Sequence, residues 1–255
     1  MCGRFQASSS PAELARWFKT TGRVPNFQQR YNAAPGQRLP IVLRGSETRK
    51  RRLVTLRWGL IPHWAKDAKI GYLKINAMAE MVASQPAFRD AFKRRRCLVP
   101  ADGFYEWVQL DVDAKTKQPY RIVIADGSPM AFAGLWERWN DPASGETVKS
   151  FTIITTAPNA LCAPIHNRMP VILDPADYAA WLGEVPASSD ELQALLQPYP
   201  AERMEAHMIG PRIGNGNHAI PEHQPRRHAA GRLSPSASPK GWVTGPHPRG
   251  IYDRR

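Results

Sequence analysis

A chain of 255 residues, 42% of them hydrophobic, suits one large domain, or one domain with a tail, built around a real core. No apolar run approaches the roughly 20 residues that span a bilayer, and Arg4, Glu13, Arg16 and Lys19 interrupt any signal-peptide-like stretch. Three cysteines (Cys2, Cys97 and Cys162) make neither a disulfide framework nor a zinc-binding CxxC pair, so free thiols in a reducing cytoplasm are expected, with no metal. The net charge of +13 suits a polyanionic partner, most often nucleic acid, or else a merely well-solvated basic surface. Residues 211–255 contribute +6 of that charge and the body the other +7, so the body is basic without its end.

The chain opens MCGRF. Removal of Met1 would leave Cys2 as the N-terminus, with an amine and a thiol on adjacent carbons, both near neutrality in their titration. Taken alone, Cys2 is as readily an ordinary small residue after the initiator. Ser10-Pro11-Ala12-Glu13 reads as a helix start, with Ser10 as cap, Pro11 in the first turn and Glu13 closing a capping box; Leu14, Trp17 and Phe18 follow at helical spacing. RYNAAPGQ (30–37) reads as a loop, and strands are expected at Leu39–Leu43 and Leu53–Trp58 around the basic run Arg49–Arg52. WGLIPHW (58–64) is aromatic, apolar and broken by Gly59 and Pro62. A helical stretch over 77–93, interrupted by Pro86, would make Asn76 a helix cap.

Next comes RRRCLVPADGFYEW (94–107), with a strand on either side of the Ala101–Gly103 turn. On the second strand Glu106 points opposite to Tyr105 and Trp107. It is either a solvated strand face or a carboxylate held in a cleft, where burial would raise its pKa into a useful range. Strands are expected at 120–125, 130–136 and 150–156, and helices after Asp174-Pro175 and at Ser188, with Glu191 in capping-box spacing. His166, in APIHNRMP just past a strand, is either an acid–base group or a surface histidine; His63 and His207 carry weaker signals. Short strands in turn-linked succession without βαβ alternation argue an α+β fold with antiparallel sheet. Beyond Gly210 lie seven of the 24 prolines and four of the seven histidines, without apolar periodicity. Residues 225–255 are expected to be a basic, disordered tail behind a domain over 1–224.

Together MCGRF, RYNAAPGQ, WGLIPHW, INAMAE, CLVPADGFYEW, ITTAPN and IHNRMPVIL, in this order over Met1 to Ala201, closely resemble the SRAP family (SOS response-associated peptidase domain), whose members crosslink themselves to abasic sites in single-stranded DNA. The resemblance implies a barrel-like core of mainly antiparallel sheet, peripheral helices and a basic cleft for single strands. It implies that Cys2, exposed by loss of Met1, attacks the ring-opened aldehyde of an abasic site with its amine and closes a thiazolidine ring with its thiol. Asn76, Glu106 and His166 would complete the catalytic group: Asn76 orienting the sugar or amine, Glu106 shuttling protons, His166 protonating the opening deoxyribose oxygen. Arg4 and Arg168 match positions near DNA phosphates, and Trp58 and Trp64 supply surface that stacks exposed bases. No cofactor, no membrane and a monomer are expected.

Two departures stand out. Met78 lies where the family usually has an arginine, and the usual closing strand is only faintly visible in GPRIGNGNHAIPE. The rival readings are an N-terminal-nucleophile amidohydrolase, which also begins Met-Cys-Gly, a Cys–His peptidase, and a DNA-binding module in which Cys2 is incidental.

Overall fold

The computed structural model describes residues 2–110 and 117–214, together with the backbone of Arg232–Leu233. In chain order the strands are β1 (Phe5–Ala7), β2 (Arg30–Ala33), β3 (Arg38–Arg44), β4 (Arg51–Trp58), β5 (Asn76–Met78), β6 (Arg96–Ala101), β7 (Gly103–Gln109), β8 (Lys117–Ile124), β9 (Met130–Asn140), β10 (Thr147–Thr156), β11 (Met169–Pro170), β12 (Met204–Met208) and β13 (Arg232–Leu233). Four short helices, α1 (Pro11–Trp17), α2 (Arg89–Arg94), α3 (Tyr178–Leu182) and α4 (Ser189–Ala194), lie among them.

Five strands close into a barrel in the order β10-β4-β3-β6-β9 and back to β10. Antiparallel ladders join all neighbours except β4 and β10, which meet in parallel at Ser150↔Arg57 and Phe151↔Trp58. Closure leaves none of these five strands as an open edge. The alternation of strand side chains divides the core in two. Ile41, Cys97, Val99, Phe132 and Ile153 join one cluster, continuous with Cys2 and Phe5. Their neighbours Val42, Leu98, Ala131, Ala133 and Ile154 face the other way and are covered by Leu14, Phe92, Trp181 and Leu192 of the four helices.

A second sheet runs β13-β12-β8-β7-β1-β2. The strands expected on either side of Ala101–Gly103 are real but belong to different sheets, β6 to the barrel and β7 to the second sheet. α1 and α4 begin with the expected capping boxes, Ser10 with Glu13 and Ser188 with Glu191.

Two sequence expectations are corrected, and one strand is new. Residues 30–33 of the expected loop form β2 against β1. The segment from Asn76 opens as a strand, not a helix: β5 pairs in parallel with β10 through Ile153↔Asn76 and Thr155↔Met78, and the helix starts only at Arg89. Ladder bonds supplied by a strand more than seventy residues away outweigh the helical preference of Ala, Met and Glu. β12 was not expected at all; it pairs with β8 over Met204↔Ile124 to Met208↔Tyr120. The expected tail lies outside the described residues, except where Arg232–Leu233 pair with His207 and Ala206.

Candidate active site

β1 brings the N-terminus into the molecule. Phe5 pairs with Ala33 on one side and Phe104 on the other. Its ring meets Trp58 edge-on at 5.1 Å and Phe132 at 5.8 Å. Cys2 is thereby buried in the main core cluster. Burial, the nearby Glu106 carboxylate and weaker opposing effects, among them a hydrogen bond from the Arg4 N–H, leave the Cys2 thiol well above its ordinary pKa.

Asn76 sits at the start of β5 and donates through Nδ2 to the Cys2 carbonyl at 2.9 Å. Its Oδ1 is buried with no hydrogen-bond partner among the described residues. The loop from Trp58 to Asn76 is held by a close crossing of Gly59 and Gly71. Gly59 has φ +113°, and a Cβ there would stand 2.6 Å from the Gly71 carbonyl oxygen, so no other residue fits.

Glu106 follows the alternation of β7. Phe104 and Val108 face the main core with it, while Tyr105 and Trp107 turn to Ile209 and Ile213 on the other side. At 4% exposure it is the cleft carboxylate rather than a solvated one. Burial pushes its pKa up to about 7, against the opposing pull of the chain's α-ammonium. Its charge also helps burial push the Cys162 thiol to about 12. Glu106 therefore lies electrostatically between Cys2 and Cys162, a buried thiol that sequence reading did not single out.

His166 lies in the loop between β10 and β11. Its Nδ1 lies 3.0 Å from the Arg168 backbone N–H and 3.2 Å from the Arg168 carbonyl oxygen; taking the nearer N–H as the partner, Nδ1 accepts and Nε2 carries the proton of the neutral ring. Burial lowers its pKa, helped by the chain's α-ammonium and by the charges of Arg168 and Lys117 and opposed by its hydrogen bond with the Arg168 main chain; the net lowering favours the neutral ring.

Cys2, Asn76 and Glu106 thus fall into one neighbourhood, linked by the Asn76–Cys2 hydrogen bond and by the effect of Glu106 on the Cys2 thiol, and His166 adjoins it through Cys162, whose carbonyl accepts the His166 N–H at 2.9 Å and whose thiol Glu106 also raises. The expected DNA contacts divide. Arg4 is half-buried and donates to Asn32 Oδ1 at 3.1 Å. The Arg168 guanidinium has both prongs on Glu80, at 2.8 and 3.0 Å, so its two-pronged face is already engaged. Trp58 is 1% exposed, stacks on Phe151 and donates from Nε1 to the Ile75 carbonyl at 2.9 Å. Its role as a base-stacking surface is corrected: it is a core residue that supports the strand carrying Asn76. Trp64 is 51% exposed and retains a free aromatic surface. No group of three or more His, Cys, Asp or Glu side chains that could hold a metal occurs among the described residues, and no helix among them is long and apolar enough to cross a membrane.

The sequence profile described as "SOS response associated peptidase (SRAP)" matches residues 1–216. The chain belongs to the SRAP family. It is 43% identical over 224 residues to the abasic site processing protein YoqW of Bacillus subtilis strain 168, covering 87% of this chain and 98% of that one. It is 32% identical over 266 aligned positions to the abasic site processing protein HMCES of Xenopus tropicalis, covering 87% and 77%. Among solved structures, a Bacteroides thetaiotaomicron protein superposes with a TM-score of 0.75 at 28% identity, covering 83% of this chain and 93% of that one. A Bordetella bronchiseptica protein gives 0.69 at 28% identity, covering 82% and all of its own length. The SRAP profile ends just past the short 3-10 turn Pro211–Gly214, close to where the described body ends.

Proposed function

We propose that this SRAP protein processes abasic sites in single-stranded DNA by covalent capture through Cys2, after Met1 is removed. The observation that carries this is the burial of Cys2 beside Glu106, a carboxyl whose pKa of about 7 lets it both take and return a proton at neutral pH. The Cys2 thiol is held protonated, so the α-amine is the first nucleophile. It adds to the aldehyde carbon of the ring-opened sugar, and water leaves to give an iminium. The Cys2 sulfur then bonds to the same carbon, its proton passing to Glu106, and the five-membered thiazolidine closes. Because the thiol is already tethered, closure gains a large effective concentration. His166 donates from Nε2 to the deoxyribose oxygen as the sugar ring opens. Asn76 holds the Cys2 carbonyl and offers its buried Oδ1 to the sugar or the amine.

The same features weigh against a Cys–His peptidase, which needs a thiolate. Here burial and a neighbouring carboxylate both work against thiolate formation. Trp64 and the basic body serve the strand, by stacking and by phosphate contact.

The test pairs mass spectrometry of the intact N-terminus with denaturing gels after incubation with a single-stranded oligonucleotide carrying one abasic site. The wild type should lack Met1 and give a heat-stable adduct; Cys2→Ala should give none, and Cys2→Ser only a labile, borohydride-trappable imine. A heat-stable adduct from Cys2→Ala would sink the mechanism.

A further inference from the structure

The loop that carries His166 is tied down at both ends. Near its start, Asn159 Oδ1 accepts from the Cys162 N–H at 2.9 Å, and its Nδ2 donates to the Tyr199 carbonyl at 2.7 Å. At its end the tie is Arg168. Nη1 and Nη2 donate to the two carboxylate oxygens of Glu80 at 2.8 and 3.0 Å, and Nη2 donates also to the Thr155 carbonyl. That carbonyl accepts the Ala79 N–H at 2.9 Å as well. Ala79 and Glu80 directly follow β5, the strand of Asn76, and Thr155 belongs to β10. One guanidinium therefore joins β5, β10 and the His166 loop, and the main chain of the same residue donates to His166 Nδ1.

We propose that Glu80 is a positioning residue for the crosslinking reaction: by gripping Arg168 it fixes the main-chain donor that holds His166 in its Nε2–H form and orientation. The proposal rests on the abasic-site chemistry above. Donor accounting supports it. Of the five guanidinium N–H groups, three are used by Glu80 and Thr155, and the Nε group is buried without a hydrogen-bond partner among the described residues. One hydrogen remains, too few for a two-pronged grip on a phosphate. The side chain is also only 15% exposed, against 50% for Glu80. With its Glu80 partner half-exposed, the ion pair adds little stability by itself; its value is geometric. Misplacement of a proton donor by about 1 Å is enough to slow a reaction by up to about 100-fold.

The test uses the full chain and compares wild type, Glu80→Gln and Glu80→Ala. Three quantities are read: affinity for an undamaged single strand, the rate of adduct formation at saturating abasic-site strand, and the imidazole 15N shifts of His166. Glu80→Ala should slow adduct formation by about tenfold, leave strand affinity within about twofold, and mix the His166 tautomers. Glu80→Gln keeps one acceptor and the side-chain volume, and should recover most of the rate and the Nε2–H signature. Glu80→Ala with a wild-type rate and unchanged His166 shifts would overturn the proposal. So would a variant that binds strands more tightly without slowing, since Glu80 would then merely compete with phosphate for Arg168. If Glu80→Ala fails to fold, Glu80→Leu, which keeps the side-chain volume but offers Arg168 no acceptor, takes its place, and a wild-type rate with unchanged His166 shifts in that variant overturns the proposal equally. If the wild type forms no adduct, the abasic-site reading falls, and the 15N shifts still decide whether Glu80 controls His166.

Discussion

Replacing Glu106 by Gln should stabilise the folded protein while crippling its chemistry, and the stabilisation should depend on pH. Glu106 is 4% exposed, and burial raises its pKa from 4.5 to about 7. Below pH 4.5 the carboxyl is protonated in both folded and unfolded chains, and the group contributes nothing. Between pH 4.5 and 7 the unfolded chain has lost the proton while the folded one keeps it. Folding stability therefore falls as pH rises through that window and stays lowered above it. At about 1.36 kcal/mol per pKa unit, the penalty reaches about 3 kcal/mol. For a domain of this size that corresponds to roughly 6–12 °C in melting temperature. Gln has the same shape and no charge to bury. An ammonium on Cys2 itself, once Met1 is gone, would favour the carboxylate and make the gain smaller. The assay is thermal unfolding of wild type and Glu106→Gln from pH 4.5 to 8.5. The two curves should meet near pH 4.5 and separate as pH rises to 7, with the variant the more stable. In parallel, its adduct formation at pH 7 should fall by about 100-fold or more, the loss expected for a missing acid–base group. A variant that is less stable than wild type at pH 8, or a difference that does not change with pH, would refute the picture of a buried, raised carboxyl.

Trp58→Ala should cost about 3–5 kcal/mol of stability by opening a cavity in the barrel, whereas Trp64→Ala should leave unfolding within about 0.5 kcal/mol of wild type and instead weaken single-strand binding by about 1–3 kcal/mol in a titration. Met78 is 45% exposed on β5 beside the Asn76 position, so Met78→Arg should strengthen strand binding and steepen the slope of log affinity against log salt by about 0.7, one extra phosphate contact. Removing residues 225–255 should leave adduct yield at saturating DNA unchanged and lower affinity only at low salt, because every candidate site residue lies in the body, which is basic without this segment.

Where the pattern was local, the sequence was readable. Both capping boxes lie within four residues and appear as expected. The side of β7 on which Glu106 stands followed from counting by twos, and Phe104 and Val108 confirm it by sharing the main core. The misreadings share a physical cause, which is contact between distant segments. INAMAE has the composition of a helix, but Ile153 to Thr155 of β10 offer it a ladder. Three residues of β1 are too few to show any period, yet β2 and β7 hold them from either side. Trp58 and Trp64 look alike in a string of aromatics. Only closure of the barrel puts the first inside against Phe151 and leaves the second half exposed.

The same contrast explains why the candidate reacting residues were recognisable while their supports were not. Cys2, Glu106 and His166 each carry a residue type that can do chemistry (a thiol beside the initiator, a carboxylate between aromatics, an imidazole in a polar loop), each had an ordinary reading too, and the resemblance to the SRAP family joined them. Glu80 and Arg168 are 88 positions apart, and each alone is an ordinary surface charge. Their pairing follows from β5 running parallel to β10 while the β10–β11 loop returns over the same end, a topological fact with no local signature. A crosslinking site assembled this way separates its two demands. On the proposed mechanism, chemically distinctive side chains do the bonding. Long-range pairs of common residues set their orientation, so damage to the second kind should appear as slow reaction in a protein that still folds and still binds its strand.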